Sequence, residues 1–486
     1  MGALLAIVAI APMAAIVVIV LTRRADIAAG ANLAASAVSF LATVPLTWLA
    51  RAAPRVYWGS YVAIDALGAW VLLCAAVVYL LASLYAVGYM RLLGEEKRLP
   101  LFYGLFAGFA LTTLLAPVMN NAGLYWIMIE LTTLVSTFLV AFEHEAASIE
   151  AAWKYIIVVS GGISLALLGT VLFYWSGSFA LGPTYDMTWA ALRGAAPHMN
   201  RSLVILAFLL VLIGYGTKAG LAPMHTWLPD AHSEGPTPVS ALLSGALLNA
   251  AMIGIIRYLA IADAAGVGPL PRLTLIALGI VSLLVAGLFI VRQEGVKRLM
   301  AYSSVEHMGV IALGIGFGGV LGIAGALYHM LNHSLNKSLM FFGAGSMMRS
   351  YQTKDMRTIH RVGRHFPVVG GLWLAGAVAI TGAPPFGLFA SELTILRAGL
   401  RGDAAWASFA MAGMLIIIFI GFLNHFRGMF YADGETPSGA AGAVSAWCVA
   451  PMWLALLPLL AMGLWWPDAM WRYFGTVASA LGTHGP

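Results

Sequence analysis

The chain has 486 residues, of which 61% are hydrophobic and 9% charged, with a formal net charge of +6. A mean hydropathy of +0.90 excludes a water-soluble globule. Apolar runs far longer than barrel strands exclude an outer-membrane barrel, and basic residues confined mostly to short loops read as topology signals rather than as a nucleic-acid surface.

The expected fold is an all-α polytopic membrane protein with about fourteen spans. They lie at roughly 3–22, 31–50, 62–89, 101–119, 122–142, 152–176, 202–222, 237–262, 271–291, 298–317, 320–348, 367–398, 404–430 and 444–466. The first span starts apolar almost at once, with no basic lead-in and no clear cleavage site, which predicts a retained anchor. Four units follow from the pattern: a three-helix segment at 1–100, repeats at 101–262 and 271–430, and a C-terminal helix and tail at 444–486. One set of loops holds Arg23, Arg24, Arg91, Lys97, Arg98, Arg292, Lys297, Arg298 and the connector SYQTKDMRTIHRVGRH. The opposite set is poor in Lys and Arg; its longest member is 177–201. The positive-inside rule assigns the basic set to the cytoplasm, with both termini outside a bacterial inner membrane.

Two spans are interrupted by Gly and Pro. The first runs from Leu203 to Ile213, continues as GYGTKAGLAP, and opens into HTWLPDAHSEGPTP. The second breaks at Thr381-Gly382-Ala383-Pro384-Pro385-Phe386-Gly387. Irregular backbone in lipid is tolerated only where protein or a wet cavity covers it. In each half the lysine-bearing span comes third and the interrupted span fourth, with Lys154 before the first break and Lys337 before the second. Five spans per half make the halves inverted, and paired breaks in matching positions point to a transport site.

Lys218 sits in the first broken span. A lysine at mid-bilayer depth costs ~2.5–3.5 kcal/mol even on the gentlest scale, so its presence suggests ion handling. Glu130, in LYWIMIELTTLVSTFLV, is its natural partner. A carboxylate that approaches and retreats raises and lowers the lysine pKa, which makes a switchable proton carrier; a static buried pair is the alternative. His329, His333 and Lys337 recur at i, i+4 and i+8 and form one stripe on a helix. Histidine exchanges protons near neutral pH. The stripe is poor as a metal site, because no Glu follows the first His as in HExxH.

Glu392 follows the second break and fits the end of a lateral relay. Lys154 and Asn249 are auxiliary candidates, Lys154 being close to an interface and Asn249 suited to orienting a water between Lys218 and His329. His225, Asp230, His232, Glu306 and His307 are candidates for proton uptake, the first three standing equally as a solvated loop with Glu234. Asp65 reads as structural. Cys74 and Cys448 lie in apolar spans and offer neither a disulfide framework nor a CxxC. No dinucleotide or phosphate-binding glycine motif stands in the right context, so no cofactor is expected.

The runs GYGTKAGLAPMHTWLPDAHSEGPTPVSALLSG, VKRLMAYSSVEHMGVIALG, HMLNHSLNKSLMFFGAGS and GAPPFGLFASELTIL resemble the antiporter-like membrane subunits of respiratory complex I, membrane-bound hydrogenases and multisubunit cation/proton antiporters. The resemblance covers most of residues 60–430. It implies fourteen helices, two inverted five-helix repeats, and broken helices seven and twelve. It places the family's fifth-helix glutamate on Glu130, its broken-helix lysine on Lys218, its central relay on His329, His333 and Lys337, and its terminal group on Glu392. Asn249 stands where one type of complex I member has a lysine. The chain ends about twenty residues past its last span, without the lateral helix of the largest complex I member. Asn249, SSVEHMG and the length look most like component F of hydrogenase-4 and formate hydrogenlyase-type complexes. The resemblance implies a proton-translocating subunit of an oxidoreductase complex, with no redox centre of its own. Its partners would be other membrane subunits, the lipid bilayer, and protons or sodium. A stand-alone cation/proton antiporter, a subunit of NADH-quinone oxidoreductase proper and an inert membrane anchor are the rival readings.

Overall fold

Every backbone N–H in a lipid phase needs an internal partner, and a long apolar chain meets that demand with helices. The computed structural model describes residues 1–93, 96–433 and 444–482. Residues 483–486 of the expected tail lie outside the described residues.

The helices are α1 (Gly2–Thr22), α2 (Ala25–Leu49), α3 (Ala66–Tyr89), α4 (Leu99–Leu115), α5 (Ala122–Val140), α6 (Ala146–Leu181), α7 (Trp189–Ala195), α8 (Arg201–Ala219), α9 (Trp227–Glu234), α10 (Thr237–Leu242), α11 (Leu248–Ala264) and α12 (Pro269–Val291). The remainder are α13 (Val296–Phe317), α14 (Gly319–Tyr351), α15 (Val362–His365), α16 (Pro367–Ile380), α17 (Gly387–Arg401), α18 (Ala405–Tyr431), α19 (Ala446–Leu464) and α20 (Asp468–Ala480). A π-helical turn, Leu243–Leu247, joins α10 to α11 into one crossing. Among the described residues twelve helices are long and apolar enough to cross a membrane. The expected span at 320–348 is α14, which carries too many His, Asn and Lys residues to count among them. The expected span at 367–398 is two helices, α16 and α17.

Polarity sorts the helices into layers. The α10–α11 crossing and α13 are enclosed along their whole apolar windows, and α3 nearly so, whereas α1 and α18 are mostly exposed. Helices that face lipid are apolar all round, and polar side chains are tolerated only inside the bundle. The polar helices α13 and α14 therefore run through the centre. α8 stops because Gly220 adopts φ +78, a conformation that suits glycine, and the Leu221 N–H then bonds back to the Gly216 carbonyl at 2.9 Å.

Two sequence expectations change outside the spans. The third span does not begin at 62. Arg55–Tyr57 and Val62–Ile64 form a short antiparallel hairpin, β1 and β2, and the helix starts only at Ala66, after Asp65 accepts from the Gly68 N–H at 2.7 Å. Asx residues with that bond define a helix start more sharply than hydropathy does. The expected loop 177–201 also holds the end of α6 and all of α7.

Ion pairs knit together the face that carries the basic loops. Lys354 reaches Glu234 at 2.9 Å and Glu145 at 3.5 Å, and Arg357 reaches Glu294 at 2.8 Å. Burial works against the Lys354 ammonium, but Glu234 and Glu145 outweigh it and hold its pKa above the usual lysine value. Lys354 thereby clasps the ends of α6 and α9 to the α14–α15 connector.

Candidate functional site

The first half of the site stands on α5, α6 and α8. Lys218 occupies the last turn of α8 and is fully buried. Its ammonium donates to Thr133 Oγ1 at 2.7 Å and to the Tyr155 hydroxyl at 2.8 Å. Tyr155 is in turn 2.8 Å from Ser136 Oγ. Glu130 lies one turn from Thr133 on α5 and accepts from Ser160 Oγ at 2.6 Å through one oxygen, while its other oxygen has no partner. Among the described residues no direct ion pair joins Glu130 to Lys218. Two hydroxyls occupy the ammonium, which the expected partner Glu130, one turn from Thr133, does not touch.

The second half repeats this arrangement on α13 and α14. Lys337 is fully buried and donates to the Met300 carbonyl at 3.0 Å and to Ser303 Oγ. Glu306 lies one turn beyond Ser303, and both its oxygens are buried without a partner. Thr133 with Glu130, and Ser303 with Glu306, are therefore equivalent: a lysine held by a hydroxyl three residues from a carboxylate on one helix. The sequence reading placed Glu306 among uptake candidates and did not see it as the carboxylate of Lys337.

The histidines lie beside this second lysine. His307 Nδ1 is 3.0 Å from His329 Nε2, and His329 Nδ1 is 2.9 Å from Ser391 Oγ. His333 does not bond to His329; its ring lies 5.2 Å from that of His307, and its Nε2 is 3.3 Å from the Ser244 carbonyl. That carbonyl belongs to the π-helical turn. A π turn shifts the backbone pattern and frees carbonyls for side chains. Gly245 uses its own carbonyl in the same way, accepting from Ser334 Oγ at 2.6 Å and Asn249 Nδ2 at 3.2 Å. Glu392 is nearly buried on α17 with one unpartnered oxygen. His307, His329 and Glu392 bring ligand-type atoms within 4.8 Å of one another. Within this grouping His307 Nδ1 and His329 Nε2 already face each other in a hydrogen bond.

The remaining candidates separate by position. Asn249 bridges to α14, donating to the Met330 carbonyl at 3.3 Å and Ser334 Oγ at 3.0 Å. Asn249→Ala strands part of this buried set and is expected to cost about 1–3 kcal/mol, read as a lower unfolding midpoint in detergent. Lys154 pairs with Glu150 at 2.5 Å and Asp230 at 3.7 Å, with its side chain 40% exposed. Asp230 is held also by Arg298 at 3.0 Å. His225 is mostly buried, its ring near Tyr302, and His232 is fully buried with neither ring nitrogen in a well-formed hydrogen bond. Asp65 is structural, as expected, but its partner was missed: Arg257 grips it at 2.8 and 3.0 Å across 192 positions of sequence.

The description "NADH:quinone oxidoreductase/Mrp antiporter, TM" matches residues 120–419. The hydrogenase-4 component F homolog of Methylacidiphilum infernorum (isolate V4) is 38% identical over 365 residues, covering 74% of this chain and 75% of that protein. Hydrogenase-4 component B of Escherichia coli (strain K12) is 31% identical over 364 residues, covering 71% of this chain and 52%, about half, of that longer protein. Among solved structures, a chain of the membrane-bound sulfane sulfur reductase, an archaeal respiratory membrane complex, superposes with a TM-score of 0.87 at 21% identity, covering 98% of this chain and 97% of that one. A chain of respiratory complex I from Thermus thermophilus gives 0.77 at 24% identity, covering 99% and 100%. At such identities the structures speak for the fold, and the sequence match speaks for the lineage. The chain belongs to the NADH:quinone oxidoreductase/Mrp antiporter transmembrane family.

Proposed function

We propose that the protein is the proton-translocating membrane subunit of a redox-driven complex of the hydrogenase-4 or formate hydrogenlyase type. The observation that carries this reading is the repeated station: a fully buried lysine, a hydroxyl and a carboxylate with at least one unpartnered oxygen, present once in each half. Keeping two ammonium groups dry is costly, and two such stations at matching places suit transfer better than stability. Residues 101–262 and 271–430 are then the two transporting repeats. Protons move between Glu130 and Lys218, pass the polar groups around the π turn to His333 and Lys337, and leave through His307, His329 and Glu392. The chain supplies no redox centre; electron transfer in neighbouring membrane subunits supplies the drive. The face clasped by Lys354 is assigned to the cytoplasm on its basic loops, and both termini to the outside.

Lys337→Ala tests the reading in the assembled complex. In inverted membrane vesicles, proton uptake per electron is expected to fall by about tenfold or more, a loss in the range of a proton carrier. Uptake at the parent rate with the variant assembled removes the proposal.

A further inference from the structure

Beyond this relay, the basic face holds a feature that it does not use. A cavity of about 240 Å³ opens there between the ends of α5, α9, α13 and α14. Glu143, Glu234, Lys297, Arg349 and Lys354 line it, and Glu145 and Lys354 are more than half exposed at its mouth. Lys297 lies 5% exposed and donates to the Gly235 carbonyl. It is the second residue of α13. Met300 and Ser303, which hold Lys337, are three and six residues deeper on the same helix, about 4.5 and 9 Å along its axis at 1.5 Å per residue.

His232 fits that interval. It is fully buried next to the cavity residue Ser233, and neither ring nitrogen makes a well-formed hydrogen bond, the Leu228 carbonyl one turn back on α9 being only a weak acceptor for it. Its ring lies 5.8 Å from that of Phe341, one helical turn from Lys337. The charges of Lys337 and Lys297 both act on it. Under-satisfied nitrogens on a buried ring are expensive and call for a reason. The acidic groups Glu143 and Glu234 and the cations Arg349 and Lys354 all act on Lys297 from the cavity side.

We propose that Lys297 is the proton gate of this vestibule and feeds Lys337 by way of His232. The proposal rests on the translocation reading above. A proton reaching the vestibule is collected at Glu143 or Glu234 and protonates Lys297. The Lys297 N–H bond then breaks and the proton passes to one ring nitrogen of neutral His232. The opposite ring N–H gives its proton to the neutral Lys337 amine, so the ring ends neutral in its other tautomer.

The test is Lys297→Arg in the assembled complex, measured in inverted vesicles beside Lys337→Ala. Arginine keeps the charge and the donors to Gly235 but does not deprotonate in proteins. A gate predicts an uptake rate lower by about tenfold or more. A mere anchor for Gly235 predicts the parent rate, and that result overturns the proposal. Loss with Lys337→Ala but not with Lys297→Arg sinks the gate and spares the pump; loss with neither sinks both. If the arginine variant does not assemble, Gln352→Cys at the cavity wall takes its place. The native Cys74 and Cys448 are buried, and the parent complex treated alike is the control. A bulky membrane-impermeant thiol reagent added from the basic face is expected to slow uptake at least about fivefold in the variant, within the reach of a blocked transfer path. No slowing overturns the proposal.

Discussion

Lys218→Ala is expected to stop proton translocation while leaving the complex assembled. The functional loss follows from removing the titratable group of the first station, for which Thr133 and Tyr155 are no substitute. The stability outcome is decided by magnitudes. Deleting the ammonium forfeits two charge-assisted hydrogen bonds, each worth about 1.5–3 kcal/mol. It also removes a buried charge that costs ~2.5–3.5 kcal/mol at mid-bilayer. These terms are of similar size and opposite sign. Tyr155 keeps its bond to Ser136, so only Thr133 loses its best partner. Proton uptake per electron in inverted vesicles should therefore fall to near background at unchanged subunit content. Lys218→Arg should fail as well, since it restores charge without a removable proton. A normal ratio in either variant would deny Lys218 its place in the path.

Gly463→Ala is expected to have the largest effect on structure of any single methyl group considered. A Cβ at this position in α19 would collide with the Pro385 carbonyl oxygen and the backbone of Phe386. Those are backbone atoms of the second break and have no rotamer to escape into. The neighbouring Met462 carbonyl also accepts the Tyr328 hydroxyl at 2.6 Å, which anchors α14 to α19. Pushing α19 away therefore disturbs the break and the relay helix together. Overpacking of this kind costs about 1–3 kcal/mol or more. A thermal midpoint lowered in detergent, with reduced translocation in what survives, is the expected result. Gly371→Ala is the control, since nothing lies within 4 Å of its Cβ position. An exposed helical glycine replaced by alanine should gain about 0.4–1 kcal/mol. Equal behaviour of the two variants would show that the close approach at Gly463 is unimportant.

The breaks, Lys218 and the stripe on α14 were legible because each violates what lipid demands of a helix. Gly and Pro mark a lost backbone bond, and an ionised side chain in an apolar run has no cheap explanation. The partners were not legible. Thr133, Tyr155 and Ser303 look like any other hydroxyl in a span, and only packing shows that they hold the lysines. For the same reason the sequence offered Glu130 as the partner of Lys218 but not the hydroxyls that hold the ammonium. Glu306 was visible as a buried acid, but its kinship with Glu130 depends on the pairing of α13 with α14. Lys154 was legible as lying near the start of a span, but its partners Glu150 and Asp230 were not.

The two stations share their parts but not their surroundings. Glu306 is buried with both oxygens unpartnered, whereas Glu130 is half-buried and accepts from Ser160 at 2.6 Å. A negative charge on Glu306 would therefore find less to stabilise it than one on Glu130, so a charge moving along the proposed path would meet unlike ends.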